Sequence, residues 1–190
     1  MIQYFTLRYW YYKLVLGAID HKCLLLNSIR FDGCKSIFIY GDKDSKTVIG
    51  RNSWLAAKSL TGRKECMLVI GAGSKIGNFN HIFCTSSIII KNNVLTADKV
   101  FISDNLHSYE DVSKPVFKQP IKQMKDVVIG EGAWLGENVC IIGASVGKGS
   151  VIGANSVVTK DIPDYCVAIG APARIIKRYN LEMKRWEMTV

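Results

Sequence analysis

Three histidines, His21, His81 and His107, are the side chains of this sequence best suited to moving a proton near neutral pH. His107 stands in "SDNLHSYED", beside Asp104 and Glu110, either of which is placed to orient an imidazole or to remain an ordinary surface carboxylate. A neutral ring there can take the proton of a hydroxyl within hydrogen-bond reach, or it can be a solvated loop side chain with no chemistry. His81 follows "GNFN" and reads either as a structural histidine or as a second catalytic one. Six cysteines, Cys23, Cys34, Cys66, Cys84, Cys140 and Cys166, are scattered without a CxxC pair, so no zinc or redox motif follows and no metal is expected. They read as buried or idle thiols in a reducing compartment.

The elements that must position these residues announce themselves by period. "VVIGEGAWLGEN" places Ile129 and Leu135 six apart, and the series continues through Ile141, Val146, Ile152 and Val158, with one step of five between Ile141 and Val146. Earlier blocks give Ile49 and Leu55, then Ile70, Ile76 and Ile82, then Ile90, Thr96 and Ile102. All are aliphatic except Thr96, which is β-branched. Two residues before each lies a position that is mostly small or β-branched, such as Thr47, Ser53, Ser74, Ala133 or Ser156. A period of six fits neither a helix nor a long strand. It fits short strands joined by tight corners, with three hexads per coil and each coil burying the inner row of its neighbour. The reading is an all-β protein, a parallel β-helix of hexapeptide repeats. Trp134 follows the small position Ala133, so it is expected to point away from the coil interior.

Around the prism the chain divides into three. Residues 1 to 30 form an N-terminal helical and aromatic segment, with Tyr4, Leu7, Tyr11, Leu14 and Ala18 at helical spacing over 3 to 18. Packing on the prism or on another subunit is preferred for it over lying on a membrane surface. Residues 31 to 173 form the β-helix, interrupted by a polar inserted loop over 103 to 126 that contains Pro115 and Pro120. Residues 174 to 190, beginning "RIIKRYNLEMKRWEM", read as a basic C-terminal helix that caps the last coil. At 190 residues one domain is expected. Arg8 and Lys13 fall within the first apolar stretch, which breaks the layout of a secretory signal and makes the cytoplasm the expected location. A net charge of +9 favours anionic partners, yet no nucleic-acid module accompanies it, so nucleic acid is not expected.

The repeats, with "VVIGEGAWLGENV", "VFISDNLHSYEDV" and "SVIGANSVVTKDIPDYCVAIGAPARIIKR", resemble the left-handed β-helix acyltransferases of the hexapeptide superfamily, and within it the sugar O-acetyltransferases. That group includes the galactoside, maltose, capsule and O-antigen enzymes. The resemblance covers most of residues 45 to 178 and is strongest from 127 onward. It implies a homotrimer with sites between adjacent prisms, acetyl-CoA as cosubstrate, and a sugar or glycoconjugate acceptor from surface polysaccharide biosynthesis. Asp104-Asn105-Leu106-His107 matches the family's D-[HN]-x-H, which makes His107 the general base. The "GNFN" match assigns Asn78 to the acceptor, with a corner asparagine as the alternative, and places His81 nearby. Trp134 matches a wall of the donor channel. Ala154, Thr159 and Lys160 match coenzyme A contacts, and Arg174 and Lys177 match basic donor positions. Ser86 stands where relatives carry an acceptor-site carboxylate, and Phe83 and Ile142 replace the usual small residue after an aliphatic position. An amine acceptor, giving N-acetylation, and a non-catalytic trimeric scaffold are the alternatives. A β-helix carbonic anhydrase is excluded because its close histidine pair is missing.

Overall fold

The computed structural model describes residues 10, 11, 14, 16–19, 23–25, 29–41, 46–61 and 65–189. Short parallel strands stack into three sheets, the faces of a left-handed β-helical prism. The first face carries Ala18–Ile19, Ile37–Ile39, Met67–Ile70, Ser87–Ile90 and Val127–Ile129. The second carries Leu24–Leu25, Val48–Ile49, Lys75–Ile76, Leu95–Thr96, Trp134–Leu135, Val151–Ile152 and Cys166–Ile169. The third carries Arg30–Asp32, Trp54–Ala57, His81–Cys84, Phe101–Ser103, Cys140–Ile142 and Val157–Val158.

The hexads are the inner ladders of these faces. On the first, Ile19, Ile39, Ile70, Ile90, Ile129, Val146 and Ile162 stand in register from coil to coil. On the third, Phe31, Leu55, Ile82, Ile102, Ile141 and Val158 do the same. Apart from the partly buried Phe31, every one of these side chains is buried. So are all the positions two residues earlier, from Thr47 and Ser53 to Ser150 and Ser156, most of them small or β-branched. Each fully buried isoleucine contributes about 1.5–3 kcal/mol by leaving water.

The regularity is confined to two of the three edges. From Ile70 onward, six positions separate first face from second and second from third. From third face back to first, the separation is fifteen for Leu55 to Ile70, eight for Ile82 to Ile90 and twenty-seven for Ile102 to Ile129. It then falls to five for Ile141 to Val146 and four for Val158 to Ile162. The shortened hexad therefore sits on the edge where length is free to vary. Its corner turns through Gly143, at φ 54°, and a Cβ there would come within 2.6 Å of the Met124 Cβ. Glycine is required both for the backbone and for the root of the insertion that packs on it.

The tail corrects the expectation of a C-terminal helix. Arg174–Asn180 pairs antiparallel with Cys166–Ile169, and Arg185–Met188 pairs with it in turn. "IIKRYN" carries both helical spacing and strand alternation, and the open edge of the second face decides between them. A strand covers its unpaired N–H and C=O groups, whereas a helix would not. The hairpin turns where the Asn180 side-chain oxygen accepts the Glu182 and Met183 N–H groups, with Lys184 at φ 49°. The N-terminal boundary also moves. Ala18–Ile19 pairs with Ile37–Ile39, so coiling begins inside the segment assigned to residues 1 to 30. Of the helix expected over 3 to 18, Trp10, Tyr11 and Leu14 are helical, Ala18 is in a strand, and the remainder lies outside the described residues save for Leu16 and Gly17, which form a bend. His21 also lies outside them. Among the described residues no helix is long and apolar enough to cross a membrane.

Candidate functional site

The insertion on the irregular edge is an arm with a structured base. Asn105–His107 pairs antiparallel with Ile121–Gln123, His107 lying opposite Ile121. His107 is exposed, and among the described residues its ring makes no hydrogen bond. Neither of the two carboxylates near it in sequence orients it. Asp104 is fully buried, its Oδ1 accepting the Thr85 N–H at 2.8 Å and its Oδ2 the Ser86 and Ser87 N–H groups at 2.7 and 3.0 Å. Glu110 accepts from Lys122 at 2.6 Å, and that ammonium, with the Tyr109 N–H, holds its carboxyl down to about 2. Gln123 completes the root: its amide donates to the Asp104 carbonyl at 2.7 Å, while its oxygen accepts from Thr85 and Thr61. Asp104 and Gln123 thus fix the strand that carries His107.

Asn78 lies at the corner from second to third face. Its Oδ1 accepts the Arg51 N–H at 2.9 Å, and its amide donates to Asp98 at 3.2–3.3 Å. The left-handed residue of that corner is its neighbour Phe79, at φ 55°, so the side chain of Asn78 ties coils together rather than relieving its own backbone. His81, on the outer side of the third face, stacks on Trp54 with centroids 4.2 Å apart and planes 6° from parallel. Arg30 covers the opposite side of Trp54 at 4.3 Å, and Asp32 accepts the indole N–H at 2.7 Å. Burial first and the Arg30 charge second push the His81 imidazole below its ordinary value. Its Nε2 is enclosed without a hydrogen-bond partner among the described residues.

Trp134 points outward from the second face, 48% exposed, between Leu95 and Val151. Ala154 is exposed on the same edge as Asn78. Thr159 and Lys160 are exposed on the edge of the arm, where Lys125 meets Asp161 at 3.1 Å. Arg174 and Lys177 lie in the closing hairpin. Lys160, on the edge of the arm, and Arg174 and Lys177, in the closing hairpin, belong to the last coils, and among the described residues none of them pairs with a carboxylate. Cations left uncompensated in this way suit phosphate groups.

One chain therefore brings His107, Thr159 and Lys160 to one edge, Asn78 and Ala154 to another, and Trp134 and Lys177 to a face between edges. Sequence reasoning missed Asp126, whose Oδ1 accepts the Ser86 hydroxyl at 2.8 Å. Forty positions separate the two, and only the folding back of the arm joins them. Among the described residues no cluster of three or more histidine, cysteine or acidic side chains is arranged to hold a metal ion.

Comparison with known proteins agrees with this fold. The sequence profile of the hexapeptide repeat of succinyl-transferase matches residues 126–160. WbbJ of Escherichia coli (strain K12), named for O-acetyl transfer in lipopolysaccharide biosynthesis, is 41% identical over 120 residues, 60% of this chain and 61% of that protein. The chain thus spans about three fifths of that relative's length. Among solved structures, a maltose O-acetyltransferase from Clostridium difficile 630 superposes with a TM-score of 0.58 at 26% identity, over 90% of this chain and 74% of that one. A point mutant of AntD, an N-acyltransferase from Bacillus cereus in complex with dTDP and coenzyme A, gives 0.74 over 90% and 89%, but at 16% identity that likeness concerns the fold alone. With the ladders in register, the strict sixes on two edges and the arm on the third, the chain has the left-handed, hexapeptide-repeat β-helix fold of the acyltransferases it resembles.

Proposed function

We propose that this protein is an acetyl-CoA-dependent O-acetyltransferase acting on a sugar hydroxyl in surface polysaccharide biosynthesis, with His107 as general base. The observation that carries the proposal is the placement of His107: an exposed imidazole on a strand whose root is pinned by the buried Asp104 carboxylate. A sugar hydroxyl holds its proton tightly near neutral pH. The neutral imidazole takes that proton as the oxygen attacks the thioester carbonyl, and the imidazolium returns it to the departing thiolate. The uncompensated Lys160, Arg174 and Lys177 support an anionic donor, and the exposed indole of Trp134 supports a channel wall beside it. The O-acetyl transferases among the relatives favour a hydroxyl over an amine.

The working form is a homotrimer. The candidate residues stand on separate edges of one prism, and the arm exposes Tyr109, Val112, Val116 and Phe117, with Val112 at 98%. Those apolar side chains find cover against a neighbouring copy, whose second face would set Trp134 opposite the arm. Lipid- or nucleotide-linked sugars are the acceptors that best suit the basic surface.

The test is thiol release from acetyl-CoA by wild type and His107→Ala against a panel of sugars, nucleotide sugars and amino sugars, with mass in solution measured alongside. Release that depends on a hydroxyl acceptor and collapses in the variant supports the proposal. Release of equal size in both proteins removes His107 as the base, and transfer to amino sugars alone replaces O- with N-acetylation.

A further inference from the structure

Beneath the root of the arm, two thiols that lie 18 residues apart in sequence are brought together by the stacking of coils. Cys66 enters the first face just before Met67–Ile70, and Cys84 closes the strand His81–Cys84 on the third. Their sulfurs are 3.5 Å apart. Cys84 is fully buried and Cys66 is 9% exposed. The Cys84 sulfur also lies 3.7 Å from Asp104 Oδ2, the oxygen that receives the Ser86 and Ser87 N–H groups. The Cys66 sulfur reaches the Cys84 carbonyl at 3.3 Å. The corner that fixes the arm and the pair of thiols are one packed unit.

We propose that Cys66 and Cys84 are a reversible disulfide-forming pair, oxidised by hydroperoxides, whose closure loosens the anchorage of the arm that bears His107. A disulfide needs the sulfurs at about 2.05 Å, so the pair must close by roughly 1.5 Å, drawing Cys84 away from Asp104. Cys66 is the entry point, because it alone of the two reaches the surface. The contact with the Cys84 thiol lowers the Cys66 thiol from its ordinary value, which favours the nucleophilic thiolate. The same contact first, and burial next, raise Cys84.

In the first step the Cys66 thiolate attacks the peroxide. An S–O bond forms, the O–O bond breaks, and the departing alkoxide or hydroxide takes a proton, leaving Cys66 as a sulfenic acid. In the second step the Cys84 sulfur attacks that of Cys66. The S–S bond forms, the S–O bond breaks, and hydroxide leaves with the Cys84 proton as water. Two electrons pass from the two thiols to the peroxide, and a dithiol returns them to restore the pair.

The consequence for acetyl transfer rests on the function proposed above, whereas bond formation and the loosening of the arm do not. The experiment treats the full-length protein with hydrogen peroxide, blocks the remaining thiols and maps its tryptic peptides, with amide hydrogen exchange measured on the same samples. The expected result is that peptides 65–75 and 76–91 are joined through Cys66 and Cys84 and separate on addition of dithiothreitol. Exchange at 105–107 and 121–123 should be several-fold faster in the oxidised protein, and Cys66→Ser should abolish both changes. Fully alkylated cysteines after peroxide, or a sulfinic acid on Cys66 without a cross-link, would overturn the pairing. A cross-link with unchanged exchange in the arm would overturn the coupling. Because neither readout uses an acceptor, failure to find one bears only on the function.

Discussion

The Asp104 carboxylate reaches back one coil to the Ser86 N–H, 2.7 Å away, and in doing so faces away from the histidine three positions ahead of it. Three backbone donors, from Thr85, Ser86 and Ser87, converge on its two oxygens. Asp104→Ala leaves the buried Thr85 and Ser86 N–H groups and the half-buried Ser87 N–H without an acceptor, and at 1–3 kcal/mol for each buried unsatisfied group the expected loss is at least about 2 kcal/mol. Urea unfolding measures it. A variant as stable as wild type would mean that the corner admits water.

His107→Ala should behave in the opposite way. The ring is exposed and makes no hydrogen bond among the described residues, so the melting temperature should stay within a degree or two. Turnover should fall by about 10²–10⁴, the range of a general base. Calorimetry and thiol release on one preparation separate the two effects.

Trp134→Ala addresses the donor. Nearly half of the side chain faces solvent, so the fold loses little. Removal of one wall of the proposed donor channel should raise the KM for acetyl-CoA about tenfold, the equivalent of about 1.4 kcal/mol, with a smaller change in kcat. Steady-state titration of the donor at a fixed acceptor concentration checks it, and a kcat loss at unchanged KM would move Trp134 out of the donor site.

His81 sets a pH dependence of stability. Its folded imidazole lies below the ordinary value of 6.5 because of burial and Arg30. As pH falls through the unfolded value, the unfolded chain takes the extra proton first. The contribution is therefore complete above about 6.5 and declines below it, down to the folded value. His81→Phe keeps a ring against Trp54 and removes the titration. Urea midpoints at about pH 7.5 and about pH 5.5 should draw apart for wild type more than for this variant.

How much of this was legible before folding depended on the range of the interaction concerned. The ladders were, because a residue such as Ile129 states its face by its distance from Leu135 and Ile141. The outward aim of Trp134 was, since Ala133 fixes the face before it. The tail was not, because "IIKRYN" satisfies two periods at once and only the open edge of Cys166–Ile169 selects the strand. At Asn78 the corner was legible, but the left-handed backbone expected of a corner asparagine is taken by Phe79. The anchoring of Asp104 and the meeting of Cys66 with Cys84 were illegible for one reason. Each joins residues about one coil apart, and the length of a coil is fixed only where the third edge is counted.

That third edge separates two kinds of change. A residue added on either counted edge shifts every later side chain off its rung, and the whole stack must answer for it. A residue added between His107 and Ile121 moves nothing but the arm. The scaffold thus behaves like a lathe with a single tool post: whatever the arm grips can be exchanged while the spindle keeps its alignment. Grafting the corresponding arm of a relative into residues 105–123 tests this, since the transplanted chain should fold with the parent's stability and take on the donor's preference.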